Sequence, residues 1–300
     1  MEKYVSSFID YLRYERNYSA HTVTSYAKDL AQFVEFLAEK REAEGEIFDL
    51  DRVDADVVRQ WLLTLMKQSL AATTVNRKLS ALQSFFTYTL RKGIIQKHPL
   101  RLLNGPKKAK AIPYFIKEKE LETLLDEEKD DSVFEEVRNQ LMLEMLYETG
   151  IRCSELVGIK DTDVDTGAML LRVTGKRNKQ RIIPFAERLK EMLINYKNVR
   201  AREVGGGFVS FFVRKNGLPV TSAIVYYVVK KQLSGVPTLA KRSPHVLRHT
   251  FATSMLNDGA TLSAVSNLLG HSSLASTSVY THVTFEELKK VYNAHPRAKK

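Results

Sequence analysis

Cysteine is nearly absent from this 300-residue chain, which contains only Cys153. A single thiol cannot form an intramolecular disulfide or supply a cysteine-based metal site, and both absences are typical of proteins from a reducing compartment. The sequence also lacks a run of about twenty apolar residues, so nothing in it predicts a membrane span. Its first ten residues include Glu2, Lys3 and Asp10 and do not resemble a signal peptide. We therefore expect a cytoplasmic protein without a membrane anchor.

Acidic residues are missing from one long stretch. Residues 57–117 contain no Asp or Glu, although the whole chain has 35 of them and a net charge of +11. The same stretch holds twelve basic residues: Arg59, Lys67, Arg77, Lys78, Arg91, Lys92, Lys97, Arg101, Lys107, Lys108, Lys110 and Lys117. A solvated helix face usually mixes both signs, so a stretch of one sign favours binding to phosphates. A membrane surface is the weaker alternative, because the bases are spread rather than clustered beside an amphipathic anchor.

Apolar residues recur at helical spacing in the first part of the chain. One helix is predicted from about His21 to Lys40, with Ser19 as its N-cap, and another begins after an N-cap at Asp54. A further helix is predicted from an N-cap at Thr73 to a stop near Gly93. Together with an earlier helical segment, these form a small bundle of four or five helices.

Turn residues and charge then interrupt the helical pattern. Residues 104–112 contain Asn-Gly-Pro followed by Lys107 and Lys108, which is typical of an exposed connection. We predict that they link an N-terminal helical domain, residues 1–103, to a second domain, residues 113–300.

The second domain has a mixed pattern. Met169–Thr174 and Arg181–Pro184 are predicted to form a β-hairpin with a basic tip. Helices are predicted on either side of it, for the ranges Glu118–Glu127, Val133–Glu148, Glu187–Arg200, Ser222–Leu233, Pro244–Asp258, Leu262–Leu269 and Phe285–Asn293. The fold class is therefore mainly α with a small antiparallel β-sheet, in two domains, a helical bundle and a mixed α+β domain.

Several residues of the second domain suit chemistry at a phosphodiester. Arg152 follows a glycine that ends a helix, His245 and Arg248 have the spacing of one helical face, and His271 and Tyr280 follow. A phosphodiester under attack gathers negative charge on its non-bridging oxygens, and two guanidiniums can hold that charge bidentately. Tyrosine can supply a nucleophile and histidine can move protons. Such a set needs no metal.

Spacing alone leaves some of these assignments open. His249 shares the helical face of His245 and could be either a site residue or a core histidine. Tyr280 is one of thirteen tyrosines, and Tyr292 is its nearest rival. A lone arginine after a helix, such as Arg152, is usually a surface residue.

These residues and their order resemble the tyrosine recombinase, or phage integrase, family, and within it the Xer type, nearest the XerC branch. The resemblance covers nearly the whole chain, and its specific signal lies in the blocks around Arg152, His245-x-x-Arg248, His271 and Tyr280. It implies that the two arginines bind the scissile phosphate, that His245 transfers a proton and His271 hydrogen-bonds the phosphate, and that Tyr280 is the nucleophile.

The resemblance extends to the hairpin and its basic tip. It implies that Lys176 is the general acid for the leaving 5′ oxygen, with Lys179 as the main competitor for that role. Arg177, Lys179 and Arg181 are then predicted to contact DNA phosphates.

Part of the first domain is also similar to a segment that lies on DNA in family members. That block is Thr74–Leu82, so Arg77 and Lys78 are predicted DNA contacts, together with Lys107 and Lys108 of the linker.

The family resemblance implies a mechanism and partners. DNA strands are cut and rejoined through a 3′-phosphotyrosyl bond, without a metal or other cofactor, by a tetramer on double-stranded DNA in which Phe285–Asn293 could dock on a neighbouring protomer. The XerC-like ending, residues 294–298, favours resolution of chromosome dimers at a dif-type site during chromosome segregation and cell division, with a XerD-like second recombinase. The alternatives are a mobile-element integrase, a type IB topoisomerase, or a non-catalytic basic DNA-binding protein.

Overall fold

A computed structural model of the chain describes the residues 1–44, 50–107, 116–126, 133–175, 178–236 and 239–270. Contacts within the chain divide it into two compact units, Met1–Ala111 and Ile112–Lys300. This division falls inside the predicted linker. Within the described ranges, no helix is both long and apolar enough to cross a membrane.

Helices build the first unit: α1 Glu2–Asp10, extended by a π-helical turn at Tyr11–Glu15, α2 Ala20–Glu44, α3 Ala55–Lys67 and α4 Ala72–Arg91. Oγ of Ser19 accepts a hydrogen bond from the N–H of Thr22 at 3.2 Å, and Oδ1 of Asp54 accepts from the N–H groups of Asp56 and Val57, each at 2.9 Å. Both predicted N-caps are therefore confirmed, because each side chain satisfies backbone donors that a helix start leaves without partners.

The start of α4 differs from the prediction. The helix begins at Ala72, its N-cap is Ala71, and no side chain caps it, so the predicted cap at Thr73 is wrong. Its end is as predicted, since Gly93 has a left-handed φ of 67° two residues after Arg91.

Aromatic rings fill the core of the first unit. Phe33 meets Trp61 at a ring separation of 5.0 Å, and Phe8 meets Phe85 at 5.6 Å, both nearly edge to face. These contacts join α2 to α3 and α1 to α4, so the amphipathic faces that the sequence predicted do form one core.

The chain after α4 folds back on this helix. Nε2 of Gln83 donates to the carbonyl of Leu103 at 3.2 Å, and Nδ2 of Asn76 donates to the carbonyl of Pro106 at 2.8 Å. A Cβ on Gly105 would lie 2.4 Å from Oδ1 of Asn76. The first residues of the predicted linker therefore belong to the bundle.

The second unit combines helices with one sheet: α5 Glu118–Leu125, α6 Phe134–Thr149, α7 Cys153–Val157, β1 Val164–Asp165, β2 Leu170–Thr174, β3 Gln180–Pro184, α8 Glu187–Glu203, α9 Ser222–Gln232, α10 Pro244–Asn257 and α11 Leu262–Leu269. The predicted fold class, mainly helical with a small antiparallel sheet, is confirmed.

The sheet has the order β1-β2-β3 and both pairings are antiparallel. Leu170 lies opposite Pro184 and Thr174 opposite Gln180, which confirms the predicted hairpin. β1 was not predicted, because a strand of two residues is too short to show an alternating pattern.

Helix α6 is the centre of the second unit. Nearly all of its side chains are buried, and it contacts α8 on one side and α10 on another. The buried side chains include Arg138, Glu144 and Glu148 as well as the apolar ones. The C-terminal end of this helix therefore lies inside the unit, where α7, α10 and α11 meet.

Candidate active site

A glycine ends α6 beside the candidate site. Gly150 has φ 60° and ψ 18°, the left-handed conformation expected of a residue that stops a helix. A Cβ at this position would lie 2.5 Å from Cδ1 of Phe251 and 2.8 Å from Cδ2 of Leu269. The backbone turns here in close contact with α10 and α11, and only glycine fits.

Arg152 occupies the N-cap of α7, two residues after that glycine. Its backbone N–H donates to Oε2 of Glu155 at 2.8 Å, and its Nη1 donates to Oε1 at 2.9 Å. The Glu155 side chain is 2% exposed, whereas that of Arg152 is 35% exposed. A buried carboxylate therefore orients the guanidinium, which remains accessible to a ligand.

Arg248 lies on α10 and is buried. Its Nη1 donates to the carbonyl of Gly150 at 2.5 Å and its Nη2 donates to the carbonyl of Leu269 at 2.7 Å. These acceptors stand at the C-terminal ends of α6 and α11, where carbonyls lack partners within the helix and the helix dipole favours a cation. The second predicted arginine is thus held between two helix ends.

The two arginines form one cluster of charge. Burial, then the positive charge of Arg152, lowers the pKa of Arg248 to about 10, and Glu155 opposes this shift. At neutral pH the guanidinium is still protonated. Positive charge gathered at a partly buried site is what an anionic ligand would balance.

His245 lies one turn before Arg248 on the same helix and is exposed at the surface. Partial burial lowers the pKa of His245, and the charges of Arg248, His249, Lys241 and Arg152 lower it further. The imidazole is therefore neutral at pH 7, the form that accepts a proton. His249 is also exposed, so the alternative of a core histidine is wrong for that residue.

Arg181 on β3, which the sequence predicts as a contact to a DNA phosphate, has partners within the protein. Its side chain is mostly buried, and Nη1 and Nη2 donate to Oε1 and Oε2 of Glu155 at 2.9 and 3.0 Å. Its Nε donates to the carbonyl of Leu268 at 2.8 Å. The guanidinium thus joins β3 to α7 and α11. Although burial opposes ionisation, Arg181 and Arg152 hold the pKa of Glu155 below its ordinary value.

At the tip of the hairpin, Lys179 is exposed, and its carbonyl accepts a hydrogen bond from the N–H of Gly175 at 2.8 Å. Its predicted contact with DNA stays a prediction. The remaining predicted site residues of this unit and the linker lie outside the described residues: Lys108, Lys176, Arg177, His271 and Tyr280. The predicted terminal helix, 285–293, lies outside them as well.

In the first unit, two predicted DNA contacts share an acidic partner. Nζ of Lys78 donates to Oδ1 of Asp29 at 3.0 Å and also to Gln32, and its side chain is 6% exposed. Arg77 pairs with the other oxygen of Asp29 but is 44% exposed. Lys78 therefore joins α2 to α4, and its predicted contact with a phosphate stays a prediction. Arg77 and Lys107, which is also exposed, remain predicted contacts.

Sequence reasoning missed the link between Glu155 and Arg181. The spacing of Arg152 and Glu155 at the start of a helix is a signal for half of the arrangement, because a Glu three residues after an N-cap can bond back to it. The bonds from Arg181 to Glu155 had no local signal, because the two residues lie 26 positions apart.

Two family models match the chain. The model described as the phage integrase family matches residues 114–287, and that described as the phage integrase N-terminal SAM-like domain matches residues 5–93.

Two full-length relatives are called tyrosine recombinase XerC. That of Staphylococcus saprophyticus is 40% identical, covering 100% of this chain and 99% of the relative, and that of Chlorobaculum tepidum is 39% identical, covering 99% and 95%. Among solved structures, the XerH recombinase bound to palindromic difH substrate superimposes with a TM-score of 0.72 at 22% identity, covering 96% of this chain and 84% of that one. A lambda integrase dimer bound to a COC′ core site gives 0.70 at 16% identity, covering 99% and 96%. At these identities the solved structures share the fold.

Proposed function

Because the chain belongs to the phage integrase family and is a site-specific tyrosine recombinase, we propose that it resolves chromosome dimers at a dif-type site through a 3′-phosphotyrosyl bond to Tyr280. This reaction serves chromosome segregation and cell division, and it takes place in the cytoplasm. Full-length similarity to two proteins called XerC supports this role over that of a mobile-element integrase. XerH, a structural neighbour described as bound to difH substrate, supports a duplex DNA partner.

The observation that carries the proposal is the meeting of Arg152 and Arg248. One is partly exposed and oriented by Glu155, the other is buried between two helix ends, and each raises the positive potential at the other. Two planar guanidiniums at one site match the two non-bridging oxygens of a phosphodiester and the charge that grows on them during attack.

Proton transfers complete the proposed mechanism. A tyrosine hydroxyl with an ordinary pKa near 10 is mostly protonated at neutral pH, so attack needs a proton acceptor. The lowered pKa of His245 supports this residue as the acceptor. We assign protonation of the leaving 5′ oxygen to Lys176 and a hydrogen bond to the scissile phosphate to His271.

Two transesterifications then exchange the strands. Tyr280 displaces a 5′-hydroxyl, and a 5′-hydroxyl of the partner strand later displaces the tyrosine. Each step replaces one phosphate ester with another, so the reaction needs no ATP, and we assign to Arg152 and Arg248 the charge stabilisation that a metal would otherwise supply. Exchange between two duplexes uses four active sites, and we therefore propose a tetramer on DNA, with a XerD-like second recombinase supplying part of it.

Covalent trapping in EDTA on nicked fragments of host DNA tests this function. We expect an adduct from the wild type and from Tyr292→Phe, the matched control, but none from Tyr280→Phe, which should still bind DNA. Sequencing should recover one chromosomal site, whereas recovery of the ends of a mobile element would favour an integrase. An adduct retained by Tyr280→Phe would move the nucleophile elsewhere. No adduct from any form, even with a XerD-like partner, would favour a DNA-binding protein without catalysis.

A second experiment tests the general acid. Lys176→Ala should slow cleavage of a normal strand far more than cleavage of a strand with a 5′-bridging phosphorothiolate, because a thiolate leaves without a proton. Lys179→Ala is the matched control and should not discriminate between the two substrates. Equal slowing of both substrates by Lys176→Ala would remove Lys176 from this role.

A further inference from the structure

We propose that Arg181 is a positioning residue of this active site, which holds Glu155 and Arg152 in place and supports the segments that lead into Lys176 and His271. The inference rests on the proposed function and goes beyond it, because it gives the site a scaffold residue in place of a predicted DNA contact.

The first support is the hydrogen bonding of the Glu155 carboxylate. It accepts two bonds from Arg181 and two from Arg152, one of them from the backbone N–H, at distances between 2.8 and 3.0 Å. An ionised carboxylate has about four acceptor positions, so all of them are used. The paired bonds from Arg181 fix the plane of the carboxylate, and that plane sets the direction of the Arg152 guanidinium.

The second support is electrostatic. A buried carboxylate next to Arg152 would repel an incoming phosphate and compete with it for the guanidinium. Arg181, whose side chain is 16% exposed, neutralises this carboxylate within the protein. Without Arg181, Glu155 would have Arg152 as its main cation and would draw it away from the phosphate.

The third support is the contact of two glycines with the ion pair. A Cβ on Gly175 would lie 3.2 Å from Oε1 of Glu155, and a Cβ on Gly270 would lie 3.3 Å from Nη1 of Arg181. Gly270 also has a left-handed φ of 65°. The main chain therefore lies against this ion pair at two places.

Each of these two glycines immediately precedes a proposed catalytic residue. Gly175 immediately precedes Lys176, the proposed general acid, and Gly270 immediately precedes His271, the proposed phosphate ligand. Arg181 also donates to the carbonyl of Leu268 at 2.8 Å, two residues before Gly270. One guanidinium thus supports Arg152 and the approaches to two further proposed catalytic residues.

Single-turnover adduct formation by the full-length protein at saturating DNA tests the proposal. We expect Arg181→Gln to slow the reaction on the order of 10- to 100-fold, because displaced catalytic groups lose their alignment. DNA affinity should stay near that of the wild type. Adding Glu155→Gln to Arg181→Gln should recover part of the rate, since it removes the unbalanced carboxylate. Because loss of the unpaired buried charge would also restore stability, rates are compared only between variants that urea unfolding shows to be folded under the assay conditions.

The matched control is Arg172→Gln on the neighbouring strand. Arg172 also pairs with a carboxylate, but this is Asp163, at 2.8 Å, rather than Glu155, and the pair is more exposed. This variant should react at the wild-type rate.

Two results would overturn the proposal. One is a wild-type rate for Arg181→Gln at saturating DNA with weakened affinity, which would return Arg181 to the role of a DNA contact. The other is a rate loss that Glu155→Gln does not relieve.

If Arg181→Gln does not fold, as judged by circular dichroism, Arg181→Lys replaces it. This variant keeps the charge but loses the paired bonds, so a wild-type rate would count against positioning. Failure of the wild type itself to form an adduct would count against the proposed function instead.

Discussion

Two buried carboxylates, Asp29 in the first unit and Glu155 in the second, are organised alike. Each accepts hydrogen bonds from one cationic side chain that is at least mostly buried and from one arginine that is more exposed. The exposed partners are Arg77, at 44%, and Arg152, at 35%. Pairing and exposure alone therefore do not distinguish an ion pair that holds helices together from one that belongs to a catalytic site.

The difference lies in what surrounds the pair. Burial, then the charge of Arg152, lowers the pKa of Arg248, and burial, then the charges of Arg248 and its basic neighbours, lowers the pKa of His245. Basic side chains that converge at a partly buried place favour the binding of a phosphate. Convergence of basic side chains in the folded protein is therefore a better guide to a phosphate site than the number of basic residues in a stretch of sequence.

Replacing Gly150 with alanine should disrupt the arrangement of Arg152, Glu155 and Arg248 without changing a charge. The added Cβ would overlap Phe251 in a left-handed backbone position, so the free energy of unfolding of the second unit should fall by about 2 to 4 kcal/mol. The carbonyl that binds Arg248 would move, and adduct formation should slow by about 100-fold. The measurements are urea unfolding followed by circular dichroism and single-turnover cleavage.

Gly259→Ala is the control for this change. Gly259 also has a left-handed φ, 90°, but nothing lies within 4 Å of a Cβ added there. Only backbone strain remains, so we expect a loss of about 1 kcal/mol and normal cleavage. Equal effects of the two substitutions would show that the contact of Gly150 with α10 and α11 does not matter.

Substitutions at the partners of Asp29 should change the stability of the first unit rather than the rate of cleavage. Lys78→Met keeps the apolar stem but removes a buried partner of Asp29, so the first unit should lose about 2 kcal/mol of unfolding free energy. Arg77→Gln removes the exposed partner and should cost less than about 1 kcal/mol. Fluorescence of Trp61, the sole and buried tryptophan, reports unfolding of this unit in urea. Unchanged stability in Lys78→Met, together with weaker DNA binding, would support Lys78 as a phosphate contact.

The smallest expected effect is a shift in the pKa of His245, which tests the positive charge clustered in the second unit. An NMR titration of His245 in the DNA-free protein should have its midpoint below 6.5, the ordinary value for histidine. Lys241→Gln removes one of the charges that lower this pKa and should raise the midpoint, whereas Lys241→Arg keeps the charge and should not. A midpoint at or above the ordinary value would contradict the clustered positive charge.

The same pKa sets the sign of the pH dependence. The folded protein binds a proton at His245 less readily than the unfolded chain does. The contribution of this group to stability is therefore complete above the unfolded pKa and is lost as the pH falls through the folded one. Cleavage should decline on the same acidic side, as the proton acceptor becomes charged.

Sequence reasoning succeeded where the signal was local. The hairpin, the caps at Ser19 and Asp54, and the left-handed Gly150 each depend on residues a few positions apart. It did not predict the partner of Lys78, Asp29, which lies 49 residues earlier. Charge patterns along a chain do not reveal which basic side chains the fold has already neutralised.

The segment after α8 shows the same limit in the core. Phe211 and Phe212 are buried, and the N–H of Val213 donates to the hydroxyl of Tyr196 at 3.1 Å. No strand or helix period runs through these residues, so no element predicted their burial. Packing between distant parts of the chain decided it.

The most direct test compares the exposed arginine of each pair on one duplex that carries the recombination site. Arg152→Gln and Arg77→Gln are assayed side by side for DNA affinity and for single-turnover adduct formation at saturating DNA. We predict that Arg152→Gln binds DNA but loses adduct formation by at least about 100-fold, because a guanidinium that stabilises the transition state is gone. Arg77→Gln should form the adduct at the wild-type rate, with only its affinity reduced. A normal rate for Arg152→Gln, or an equal loss of rate in both variants, would contradict the assignment of the Glu155 cluster as the catalytic site.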